Sequence, residues 1–174
     1  DKLLLQQPET GEDAVKIATT LIRNDIDVLV WDSVAASFPK AYADAEPGSS
    51  GEEKPARLAA MMSKAMARMT AANKHTALVF MNQTRSNIGG MSFGPKESTP
   101  GGRALPFYAS IRVRLTRAGR ITEDWKTHDG EKEVTVKKTT KIKIKAEVDK
   151  SKLNKPFREM WFIFDLNTQT IDET

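Results

Sequence analysis

Two apolar runs, each ending in a polar residue, constrain this chain more than anything else in it. Asp27-Val28-Leu29-Val30-Trp31-Asp32 and Ala77-Leu78-Val79-Phe80-Met81 both read as strands buried on two faces, the first delivering Asp32 and Ser33, the second Asn82 and Gln83. Leu3 to Leu5 reads as a short strand ahead of them. Between these runs the period changes to that of helices. Thr10 and Asp13 resemble a capping box, and Ala14, Ile17, Ala18, Leu21 and Ile22 follow as one apolar stripe ending near Asn24. A second helix runs from Pro55 to Asn73, with Leu58, Met62, Ala65, Met66 and Met69 on one face; methionines so spaced are expected in a core. Arg57, Lys64 and Arg68 fall on its other faces. The strand-helix-strand-helix-strand order predicts right-handed βαβ units in a largely parallel sheet, with Asp32 and Gln83 on the edge where such sheets bind ligands.

After Gln83 the chain becomes a loop to Gly102, carrying Gly89, Gly90, Gly94, Gly101 and Gly102, the cation Arg85, and apolar Ile88, Met91 and Phe93. Loops of this length are usually functional or disordered. Ala43 to Lys54, rich in Gly, Ser, Pro and Glu, is a second loop. An acid beside a hydroxyl, as in Asp32-Ser33, suits a hydrated magnesium ion; a helix cap or a solvated acid is the plainer reading of the same pair.

Beyond the loop, ALPFYAS reads as a short helix, and Ile111, Val113 and Leu115 alternate with Arg112 and Arg114 as a strand. Ala118 to Gly130 reads as a turn region around Trp125 and Asp129-Gly130. Val134, Val136, Ile142, Ile144 and Ala146 then alternate with polar residues, predicting an antiparallel extension, with Lys141, Lys143 and Lys145 as an edge-strand guard or a row facing an anion. A short basic loop from Lys150 to Phe157 precedes a last strand, Met160 to Phe164. At 174 residues, 39% hydrophobic and 29% charged, one domain spanning 1–174 is expected. No apolar run reaches membrane-spanning length. The absence of cysteine excludes disulfides and thiolate metal sites, His75 and His128 form no nucleophile-base arrangement, and the net charge of +4 permits an anionic partner without demanding one.

Five stretches, DVLVWDSVAA, MMSKAM, FMNQTRSNIGGMSFGP, TPGGRALPFYASIRVRLTR and KPFREMWF, resemble in order the ATPase core of bacterial and phage RecA recombinases. The resemblance implies a RecA-like P-loop NTPase core, a mainly parallel twisted sheet with helices on both faces and an antiparallel C-terminal extension. It also implies a cytoplasmic DNA-dependent ATPase that uses ATP and Mg2+, forms a helical filament on single-stranded DNA, and exchanges strands with duplex DNA in recombination and repair. Asp32 matches the Walker B aspartate that holds a magnesium-bound water, with Ser33 beside it, and Gln83 the glutamine that senses the γ-phosphate. Arg85, Ile88, Gly89, Gly101, Gly102 and Arg103 match or neighbour DNA-loop positions, Lys150 and Lys152 the lysines that reach a neighbour's nucleotide, and Phe107 an aromatic at that interface. The paired DNA-contacting helix arginines of the family fall here at Ala60 and Ala67, and Arg57 and Arg68, nearby but out of register, are the DNA-binding candidates that the resemblance leaves on this helix.

No glycine in the chain is followed by lysine, so the phosphate loop G-x-x-x-x-G-K-[ST] is absent. In the family that loop precedes the point where this chain begins. The expectation is therefore a recombinase fragment unable to hydrolyse ATP alone. The alternative is a non-catalytic single-strand-binding or filament-modulating protein derived from the same fold.

Overall fold

The computed structural model describes residues 3–43, 53–86, 97–129 and 132–172. Contacts divide the chain into two compact units, Asp1–Tyr108 and Ala109–Thr174.

In the first unit the helices form where capping and periodicity place them. Helix α1 (Gly11–Arg23) starts at Thr10, whose hydroxyl accepts the Asp13 amide at 3.2 Å and donates to the Asp13 carboxylate at 2.7 Å. Glu12 and Asp13 in the first turn and Arg23 in the last suit the helix dipole. Strand β1 (Val28–Trp31) follows, then a 3₁₀ turn (Val34–Ala36), the short helix α2 (Lys40–Ala43), and the long helix α3 (Glu53–Ala72). Strand β2 (Ala77–Phe80) enters through a turn closed by Asn73, whose side chain bonds both the amide and the carbonyl of Thr76. β1 and β2 pair in parallel with Val28 opposite Ala77 and Trp31 opposite Phe80. Two short strands, β3 (Arg85–Ser86) and β4 (Glu97–Ser98), pair antiparallel, and helix α4 (Ala104–Tyr108) ends the unit.

The core lies between α1, α3 and one face of the parallel pair. Val15, Ala18 and Ile22 meet Leu58, Met62, Ala65, Met66 and Met69 over Leu29 and Trp31, so the methionine stripe is core. Met62 is fully enclosed, at 0% exposure. Met62→Ala is expected to cost about 2–5 kcal/mol, through lost transfer energy and the cavity left behind, read as a lowered denaturant midpoint.

Two local expectations fail here. The strands are not buried on two faces: Val28 and Val30 are 57% and 58% exposed and Val79 46%, because α1 and α3 both cover the Leu29 and Trp31 side. Leu3 to Leu5 forms no strand and Leu3 is 95% exposed, since no described strand lies beside it to take its hydrogen bonds. Most of the loop between Ala43 and Lys54 lies outside the described residues.

The second unit is an antiparallel sheet in the order β5-β6-β7-β8: β5 (Ile111–Asp129), β6 (Lys132–Ser151), β7 (Glu159–Asp165) and β8 (Ile171–Asp172). The expected parallel sheet and antiparallel extension are thus both present. The turn region expected over Ala118 to Gly130 is instead strand up to Asp129: β5 runs on through register shifts at Arg117/Gly119 and Ile121/Thr122, and Trp125 pairs with Val136. Lys138 sits 4.5 Å over the Trp125 ring. β7 covers β6 only from Lys141 to Glu147, so the outer half of the hairpin has two strands where the inner half has three or more. Nor do the lysines guard an edge, because β6 is an interior strand. Lys141 pairs with Asp165 at 3.6 Å, Lys145 with Glu159 at 2.6 Å, and Lys143 lies 5.1 Å over the Trp161 ring.

Candidate functional site

Parallel pairing fixes where the two polar strand ends go. With Trp31 opposite Phe80, Asp32 and Ser33 leave β1 on the same rim as Met81, Asn82 and Gln83 leave β2. Two backbone bonds tie the exits together, Met81 amide to Trp31 carbonyl and Val34 amide to Met81 carbonyl, both 2.9 Å. Ser37 stiffens the first exit: its hydroxyl accepts the Trp31 indole N–H at 2.9 Å and donates to the Ser33 carbonyl at 3.2 Å. Asp32 and Gln83 are exposed and Ser33 is half-buried. One acid and one hydroxyl on an exposed rim fit a magnesium ion that keeps most of its waters. They form no phosphate cradle of their own.

The loop that starts at this rim also returns to it. The Asn82 side-chain amide donates to the Pro100 carbonyl at 2.8 Å, and the Asn82 side-chain oxygen accepts the Gln83 amide at 2.9 Å. Arg85 stands opposite Ser98 in a two-rung ladder, so both arms leave side by side. Ile88 and Gly89 lie outside the described residues. On the return arm Gly101 and Gly102 have φ of +91° and +71°, a backbone that side chains resist. Gly101 is buried beside Val34 and Met62, and Gly102 lies on Ala59 of α3. The turn after Asp32, the loop and the core helix are therefore in direct contact. Arg103 is exposed, and its carbonyl accepts the Phe107 amide at 3.1 Å.

Sequence reasoning named Asn82 only as half of a polar pair. Its partner Pro100 is 18 residues away, beyond the reach of any local pattern.

The remaining expected residues lie elsewhere. Arg57 and Arg68 line a groove between α1 and α3 together with Lys16, Ala60 and Lys64. Phe107 is 73% exposed and packs edge-on to Tyr108, with ring centroids 5.4 Å apart. In the second unit Lys150 stands opposite Arg112, and the Lys152 amide donates to the Ser110 carbonyl at 2.8 Å. Loss of hydration and then the charges of Lys152 and Arg112 hold the Lys150 ammonium below the usual lysine range. Among the described residues no group of three or more His, Cys, Asp or Glu could hold a metal, and no helix is long and apolar enough to cross a membrane.

A parallel strand pair with an acid and an amide on one carboxyl rim, and a glycine-braced loop issuing from it, defines an α/β domain, a class in which ligands commonly bind at strand ends. The chain matches the RecA N-terminal domain over residues 1–167, and it belongs to that family. It is similar to proteins named Protein RecA from Acidiphilium cryptum (44% identical over 93% of this chain and 43% of that protein), Chelativorans (40% over 93% and 41%) and Rickettsia africae (42% over 91% and 42%). It thus spans about two fifths of the length of these relatives.

Proposed function

We propose that this chain is the sensing and DNA-gripping part of a RecA-like recombinase, a cytoplasmic DNA-dependent ATPase that forms filaments on single-stranded DNA and pairs them with duplex DNA. In this reading both compact units belong to one ATPase core. The observation that carries it is the shared rim: Asp32 and Gln83 leave adjacent parallel strands, and the loop that begins at Gln83 is tied back to the same rim through Asn82 and Gly101. Asp32, with Ser33 beside it, holds a water of the magnesium ion. Gln83 donates its side-chain amide toward the γ-phosphate and, being the first residue of the loop, passes the presence or absence of that bond to Arg85 and beyond. ATP supplies the transferable phosphate, and the cradle for its other phosphates belongs to a segment that these residues do not include.

On the DNA side, Arg85 and Arg103 neutralise phosphates, the glycines Gly89, Gly101 and Gly102 let backbone amides approach them, and Ile88 wedges between bases. Lys150 and Lys152 face a neighbouring subunit's nucleotide, and Phe107, in the first unit, is an aromatic of a subunit interface.

Binding to a labelled thymidine oligonucleotide should weaken steeply with salt, each neutralised phosphate contributing a slope of about −0.7 in log K against log salt. Arg85→Ala with Arg103→Ala should flatten that slope by about 1.4. A salt-insensitive titration, or a slope unchanged in the double variant, would overturn the phosphate assignments.

A further inference from the structure

We propose that the groove between α1 and α3 docks an acidic amphipathic helix of a partner polypeptide. The groove has a volume of about 480 Å³, with Val15, Met61 and Ala65 at its floor. Along its α3 side Arg57, Met61, Lys64 and Arg68 follow at spacings of four, three and four, so cations and floor form one stripe; Lys16 of α1 stands across from it. Eleven residues of helix rise about 16 Å, the length of three turns, which matches a short helix laid along the stripe.

Charge selects the sign of the occupant. Four cations border the groove against one acid, Glu12, whose carboxylate already accepts the Lys40 amide at 2.8 Å. Lys16 is paired with Asp13 at 2.9 Å and Arg57 lies 5.9 Å over the Tyr42 ring. Among the described residues neither Lys64 nor Arg68 is in an ion pair, so these two are the cations open to an incoming carboxylate. The floor selects the chemistry. A phosphodiester chain has nothing apolar to place on Met61 and Ala65, and no aromatic ring among the lining residues offers bases a surface to stack on. A helix with leucines on one face and glutamates on its flanks satisfies both.

The test uses the whole chain and a fluorescein-labelled peptide of about a dozen residues, with leucines three and four apart flanked by glutamates. Its controls are a scrambled peptide of equal composition and a thymidine oligonucleotide. The striped peptide should bind at least about tenfold tighter than the scrambled one. Binding should fall at least about tenfold in Lys64→Glu with Arg68→Glu, and equally in Ala60→Trp, which fills the groove without changing charge. All three substituted positions are exposed, so the fold should persist, as circular dichroism can check. Equal binding of the scrambled peptide, or full binding by either variant, would overturn the proposal. So would an oligonucleotide that displaces the peptide and loses affinity in the same variants, since the groove would then be a phosphate surface.

Discussion

Gly101→Ala should destabilise the first unit by about 2–4 kcal/mol, a large effect for a single added methyl group. Two separate costs add. At φ +91° a side chain is in a backbone region that L-residues resist, and the new Cβ would sit 2.8 Å from Val34 Cγ1 and 3.4 Å from Met62 Cγ. Neither neighbour can yield freely, because both are fully buried at 0% exposure. Gly119→Ala is the matched control: its φ is not positive, its nearest added contact is 3.9 Å to Lys143 Cβ, and its stability should stay within about 0.5 kcal/mol of the parent. Denaturant midpoints of the two variants measure the difference. If Gly101→Ala unfolds no earlier than Gly119→Ala, the return arm is not braced as described. The same variant should weaken oligonucleotide binding if the brace also sets the loop's exit.

Gln83→Ala should leave the fold alone and abolish the dependence of DNA affinity on ATP. Gln83 is exposed, and its one described bond, from its backbone amide to Asn82, survives truncation to alanine. Couplings between two sites are typically about 1–3 kcal/mol, a five- to 150-fold change in affinity, and the variant should reduce that ratio to about one. The measurement is the ratio of oligonucleotide affinities with and without ATP and magnesium, in a protein that also carries the phosphate loop. An unchanged ratio would remove Gln83 from the proposed lever while leaving the phosphate contacts of Arg85 and Arg103 to be judged by their own salt slope.

The legible parts of this structure were those set by short-range chemistry. Thr10 and Asp13 mark the start of α1 because a cap is a contact between residues three apart. Leu58, Met62, Ala65 and Met69 mark the buried side of α3 because helical period alone aligns them. Asp32 and Gln83 were legible as rim residues because parallel strands joined by a helix must point the same way. What a strand lies against is not local. Val28 and Val30 read as buried because the run is apolar throughout, yet burial depends on a second covering layer, and among the described residues α1 and α3 supply only one. Leu3 to Leu5 failed for want of a neighbour. The hairpin was hidden because alternation breaks between Ala118 and Gly130, where the register shifts at Arg117/Gly119 and Ile121/Thr122, and the lysine row was misplaced because β7, which covers it, arrives only after a further loop. Asn82 escaped notice for the same reason, since Pro100 can only be found in space.

The uneven width of the second unit has a mechanical result. From Thr122 and Thr139 outward the hairpin rests on its own cross-strand rungs, whereas nearer its base β7 backs the lysine strand. Thermal agitation therefore peels it from the far end inward, and the Trp125 rung loosens well before the Arg114 to Asp149 link at the root lets go.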